Sequence, residues 1–138
     1  MVGSVIRGRV AVGLLAVRLV AGAAFIVHGW PKFQHAFAWM GPHATVPPIF
    51  QALAAFAEFA GGFALIIGLL TQLAALGIAC NMIVALAMVH LPHGDPFVGH
   101  GGGPSYELAA VYLAIMLLLM VAGPGQCSLD ARFFGKKT

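Results

Sequence analysis

Four apolar runs, at about 10–30, 49–70, 73–91 and 105–122, leave this chain few ways to fold. Each is close to the roughly 20 residues that a helix needs to cross about 30 Å of hydrocarbon. In hydrocarbon a backbone must satisfy its own hydrogen bonds, which only helices and closed barrels achieve. The runs are continuous, so helices are expected. The chain is 61% hydrophobic and 8% charged over 138 residues, against roughly 25% charged in soluble domains. Lipid is therefore the expected solvent. Four spans and their connections use up the length, which predicts an all-α, integral membrane four-helix bundle with one membrane domain over 1–138.

Proline and glycine mark the boundaries. Pro31 disfavours helix in the residue before it and is expected to close the first span at Trp30. Pro47 and Pro48 suit the start of the second, where a missing N–H costs nothing. Thr71 and Gln72 make a short turn, Pro92-His93-Gly94 ends the third span, and Gly123-Pro124-Gly125 ends the fourth. The connections are then 31–48 and 92–104. In the first, Phe33, Phe37 and Met40 recur at helical spacing beside Trp39, which predicts either a short interfacial helix over Lys32–Met40 or a plain loop.

Arg7, Arg9, Arg132, Lys136 and Lys137 cluster near the two ends. Basic residues resist translocation, and an even number of spans puts both ends on one side, so cytoplasmic termini in a bacterial inner (plasma) membrane are predicted. The first run is too long for a signal-peptide core and is interrupted by Arg18, so a retained helix is expected. The scattered basic residues form no continuous phosphate-binding stripe, which excludes nucleic acid. Cys80 and Cys127 show neither C-x-x-C nor zinc-type spacing, so neither a structural disulfide nor dithiol chemistry is expected.

An ionised side chain at the bilayer centre costs roughly 2.5–3.5 kcal/mol on insertion scales, so each needs a partner or a wet cavity. Counting ~1.5 Å per residue, Arg18 lies ~15–18 Å below Trp30, Glu58 ~15 Å below Pro48 and Asn81 ~15 Å below Leu91. This equal depth predicts an Arg18–Glu58 pair with Asn81 adding a hydrogen bond, either as a site or as glue between helices. Gly22 and Gly29 share the Arg18 face, and Ala54 and Gly62 the Glu58 face, as close packing of membrane helices requires. A second cluster comprises His28, Lys32, His90 and Glu107, with Lys32–Glu107 the expected pair. On a regular helix His90 lies about 180° from Asn81, so the two cannot line one cavity unless the helix breaks. His90, His93 and His100 with Asp95 are secondary metal candidates without a fixed ligand spacing. His28 and His90 are a secondary pair for an axial haem. Neither haem nor metal is expected, and the cofactor is left unknown.

Arg18, the run His28-Gly29-Trp30-Pro31-Lys32, Glu58-Phe59-Ala60-Gly61-Gly62-Phe63 leading to Leu69-Leu70-Thr71, Tyr106-Glu107, and Gly123-Pro124-Gly125 before Ser128-Leu129-Asp130 occur in that order. Together they resemble the DoxX family of small four-helix bacterial membrane proteins. The resemblance implies association with redox systems. One branch of the family supplies the small subunit of a membrane thiosulfate:quinone oxidoreductase, and a mycobacterial member associates with superoxide dismutase and a thiosulfate sulfurtransferase. By position, the family's polar pattern falls on Arg18, His28, Gly29, Lys32, Glu58 and Glu107.

The expected function is a membrane subunit of a redox system that binds a quinone or similar lipophilic molecule. Glu58 and Glu107 would move protons. Arg18, His28, Lys32, Asn81 and Tyr106 would bind the ligand, with Phe25 and Phe63 packing on its ring. Electrons would come from a soluble or membrane redox partner protein, because no flavin or iron–sulfur site is encoded. Self-association into a homo-oligomer is left open. The rival readings are a non-catalytic scaffold that recruits soluble redox enzymes, and a binder or exporter of a small anion or lipid.

Overall fold

The computed structural model describes residues 5–135; Lys136 and Lys137, counted above toward orientation, lie outside the described residues. Among the described residues every regular element is helical: α1 (Arg9–Gln34), α2 (Pro48–Ile67), α3 (Thr71–His93), α4 (Glu107–Ala122) and a short α5 (Leu129–Phe133). The first three are long and apolar enough to cross a membrane, and α4 is a shorter apolar helix of 16 residues. The chain is a helical membrane bundle.

Glycine decides how α1 meets α2. A Cβ added to Gly22 would lie 2.7 Å from the Gly62 carbonyl oxygen, and one on Gly29 would lie 2.7 Å from the Phe59 nitrogen. No larger residue allows the two backbones this close, so the glycines lock the register of the antiparallel pair. Beyond α2, α3 packs between α2 and α4, whereas α1 and α4 barely meet. Their seam is held by Phe25 and Tyr112, with ring centroids 4.8 Å apart.

The Gln126 N–H donates to the Ile6 carbonyl at 3.0 Å, so the segments before α1 and after α4 share one end of the bundle, called here the terminal end. The connections 35–47 and 94–106 form the opposite, loop end. At the terminal end α2 stops at Gly68 (φ 70°), a left-handed residue of the kind that commonly closes helices. Leu70 (φ 51°) takes the same rare conformation without being glycine. Asp130 offsets the strain: its carboxylate accepts the Leu70 N–H at 2.7 Å and the Thr71 N–H at 2.8 Å. Two donors that the start of α3 would leave orphaned are thereby satisfied.

α1 does not stop before Pro31 but runs through it to Gln34. A proline this near a helix end forfeits only the bond to the Val27 carbonyl. The added turn brings Lys32 onto Glu58 and stacks Phe33 on Phe59 with centroids 4.8 Å apart, which offsets that loss. Lys32–Met40 is accordingly no separate interfacial helix. Lys32, Phe33 and Gln34 finish α1, and hydrogen-bonded turns follow, with Ala38 N–H donating to His35 O at 2.8 Å and Gly41 N–H to Ala38 O at 3.1 Å. Gln51, 3% exposed, secures this connection: its side chain accepts from Met40 N–H at 3.1 Å and donates to the Val46 carbonyl at 2.8 Å.

Candidate functional site

Arg18 is fully buried, yet its partner is not the Glu58 carboxylate expected from the sequence. Nε donates to Leu65 O at 2.8 Å, Nη2 to Ile66 O at 3.1 Å, and Nη1 to Pro124 O and Cys127 O at 2.8 and 2.9 Å. The first two are orphan carbonyls at the C-terminal, electronegative end of α2, where a cation is favoured. The guanidinium, with five N–H donors in a planar fork, serves all four acceptors at once, one more than the three donors of an ammonium can reach. Arg18 thus ties α1 to the end of α2 and to the segment after α4. The expected equal depth failed because Trp30 and Pro48 are not level. Gly29 abuts Phe59, so α2 extends eleven residues, about 16 Å, past that point at the loop end. Glu58 in turn stands eight residues, about 12 Å, from the level of Ile66, out of reach of Arg18.

Glu58 pairs instead with Lys32. Nζ lies 2.7 Å from Oε1 and 2.8 Å from Oε2, and 4.7 Å above the Trp39 ring centroid. The carboxylate side chain is 3% exposed and the lysine 28% exposed. The pair faces a cavity of about 250 Å³ at the seam between α1 and α4. Phe25, Met82 and Tyr112 border it toward the middle of the bundle, and His28, His90 and Ser105 toward the loop end. One ammonium, one carboxylate, two imidazoles and a phenol therefore border one space. Such a site can hydrogen-bond an oxygen-bearing ring and exchange protons with it. The expected Lys32–Glu107 pair is absent: Lys32 is committed to Glu58, and Glu107 is exposed on the first turn of α4.

His90 reaches the cavity because α3 is not uniformly α-helical. Leu86–His90 form a π turn, with Leu91 N–H donating to Leu86 O. On a regular helix His90 would lie ~80° round from Met82. The residue added by the π turn takes back about 100°, leaving the two ~20° apart on one face. The sequence tied such a break to His90 and Asn81 sharing one cavity; the break is present, yet His90 alone of the two borders the cavity. His90 Nδ1 lies 2.7 Å from Asp95 Oδ2.

The remaining expected residues are placed elsewhere. Asn81 donates to the Ala54 carbonyl at 2.9 Å, joining α3 to α2 outside the cavity. Tyr106 packs on Phe97 with centroids 5.3 Å apart, and the Tyr106 and Glu107 N–H groups bond Pro96 O and Phe97 O, closing the 94–106 connection on itself. Phe63 is 48% exposed and stacks edge-on to Phe59 on the outer surface. His93 turns back onto the Val89 carbonyl and His100 is exposed. Among the described residues no three His, Cys, Asp or Glu side chains are grouped to hold a metal ion. Ser105 and Tyr112 were not foreseen. Tyr112 carried a usable signal, as a phenol in an otherwise apolar run calls for a polar neighbour.

The DoxX family model matches residues 13–91, covering most of α1, all of α2 and nearly all of α3. An uncharacterized protein of Haemophilus influenzae is 32% identical, over 89% of this chain and 92% of its own length. An uncharacterized membrane protein of Mycobacterium tuberculosis is 31% identical, over 91% of this chain and 83% of its own. No solved structure matches.

Proposed function

The chain belongs to the DoxX family of membrane proteins, and on that premise we propose that it binds a quinone, or a lipophilic carbonyl compound like it, beside the Lys32–Glu58 pair. In this reading the chain is the membrane subunit of a redox system whose electrons come from a partner protein. The observation that carries it is the buried ion pair opening onto a cavity that His28, His90 and Tyr112 also border. Lys32 Nζ has a third proton beyond the two directed at Glu58, and it donates that one to a ligand carbonyl. Phe25 and Met82 give the ring an apolar bed. About 250 Å³ falls just short of the ~300–1,000 Å³ of drug-sized pockets. It suits a single-ring head group whose tail leaves through the α1–α4 seam into lipid. Glu58 balances the Lys32 charge. Arg18, Asn81, Tyr106 and Glu107, placed away from the cavity, build the frame around it.

Titration of the full chain in lipid nanodiscs with a short-chain benzoquinone tests the reading, since Trp39 stacks on Lys32 and its fluorescence reports a neighbouring quinone. Saturable quenching that Lys32→Ala abolishes is expected. A wild-type protein that neither quenches saturably nor carries quinone in its lipid extract removes the redox site and leaves the scaffold reading.

The same proposal puts the terminal end in the cytoplasm of a bacterium, because Arg7, Arg9 and Arg132 lie there. Cys127 is exposed at that end. A membrane-impermeant maleimide should label it in inverted vesicles and not in intact cells, and labelling in intact cells would reverse the topology.

A further inference from the structure

The Lys32–Glu58 pair can hold a ligand, but each member neutralises the other, and the carboxylate, 3% exposed, is shut off from water. His90 keeps one ring nitrogen free of its carboxylate partner and has its own opening to the loop end. Its side chain is 21% exposed and borders both the cavity and the loop end. An ionised carboxylate only accepts hydrogen bonds, so the contact with Asp95 Oδ2 at 2.7 Å places the ring proton on Nδ1. Nε2 is then the nitrogen left for a ligand, and among the described residues it makes no hydrogen bond. Asp95 is held in turn by its own backbone, its N–H bonding to His90 O at 3.1 Å, so carboxylate and imidazole close one small ring. Its side chain is 11% exposed, and a carboxylate in that position fixes the tautomer and orientation of an imidazole.

We propose that His90 is the proton-transferring group of this cavity and that Asp95 is its positioning residue, with the π turn of α3 as the device that aims the ring. The proposal rests on the quinone-type reading above and assigns it a proton route. His90, protonated on both nitrogens, gives the Nε2 proton to the ligand oxygen that becomes anionic as electrons arrive from the redox partner. An O–H bond forms, the N–H bond breaks, and neutral imidazole remains with Nδ1–H still on Asp95. Water at the loop end reprotonates Nε2. Two such passages supply the two protons that a two-electron reduction of a quinone consumes. The charged and titratable groups facing His90 are His28 and Lys32 from α1, Glu58 from α2, Tyr112 from α4 and Asp95 from its own segment. Glu58 already holds Lys32, so the imidazolium that forms in each cycle is balanced by Asp95.

The test uses the full chain in nanodiscs, a short-chain benzoquinone as ligand and a reduced viologen dye as electron donor, followed by stopped flow against empty nanodiscs. Wild-type protein should speed quinone reduction. His90→Gln should still bind the quinone, which Lys32 holds, yet lose rate by about 10²-fold, the scale of general acid catalysis. Added imidazole should restore much of that rate, which repair of a merely structural defect would not. Asp95→Asn should displace the pH profile of the rate. Failure of wild-type protein to bind quinone would overturn the functional reading and this one with it. Normal binding together with an unchanged His90→Gln rate, or a loss that imidazole leaves in place, overturns the proton route alone. Should His90→Gln not fold, a pH profile of Asp95→Asn that superimposes on the wild type overturns it equally.

Discussion

Replacing Lys32 by methionine removes the one cation that pairs with Glu58 among the described residues, where the carboxylate side chain is 3% exposed. The carboxylate then loses two hydrogen bonds of 2.7 and 2.8 Å and remains buried without a counter-charge. Breaking a buried pair in this way costs about 3–5 kcal/mol. The reverse change, Glu58→Gln, should cost only about 1–2 kcal/mol, because the amide oxygen still accepts from Nζ. Lys32, at 28% exposure, also keeps a path to water and its place over Trp39, itself worth about 0.5–2 kcal/mol. Lys32→Met with Glu58→Gln leaves no charge to desolvate, and the loss should fall short of the sum of the single losses by about 3 kcal/mol. Reversible unfolding in mixed SDS micelles, followed by helical circular dichroism, measures all three. Equal single costs that simply add in the double variant would show that the two side chains are not coupled, and the cavity would lose the charge arrangement on which its chemistry depends.

Gly62→Ala sets a Cβ 2.7 Å from the Gly22 carbonyl oxygen and 2.9 Å from the Ile26 nitrogen; it should cost about 1–3 kcal/mol in the same assay. Gly13→Ala, with nothing within 4 Å, should be neutral or slightly stabilising. Arg18→Lys offers one ammonium to four carbonyls and should lose about 2–4 kcal/mol, while quinone affinity, read by Trp39 quenching, stays unchanged because the guanidinium lies outside the cavity. Asp130→Ala strips the acceptor from Leu70 N–H and Thr71 N–H; it should lose about 1–2 kcal/mol and expose the chain at Arg132 to trypsin sooner than in the wild type.

Much of the polar inventory was legible because hydrocarbon tolerates so little of it. Arg18, Glu58 and Lys32 stood out by type alone, and each does find a partner. What misled was pairing by depth. Height along a helix can be counted from sequence, but the offset between two helices is set by how their surfaces interlock. Contacts of Gly22 with Gly62 and of Gly29 with Phe59 slide α2 by several turns relative to the count from Trp30 and Pro48. That slide exchanges the partners, giving Glu58 to Lys32 and Arg18 to backbone carbonyls.

The sequence by itself determined the solvent, the helical class and the identity of the buried charges, since these follow from transfer free energies that each residue carries wherever it is placed. Only the tertiary structure decided which charges meet, that α1 continues past Pro31 to bring Lys32 down to Glu58, and that a π turn swings His90 inward. Those outcomes depend on register and on a local change of helical pitch. Both are properties of packed surfaces, settled by contacts between residues far apart in the chain, and no single run of residues encodes them.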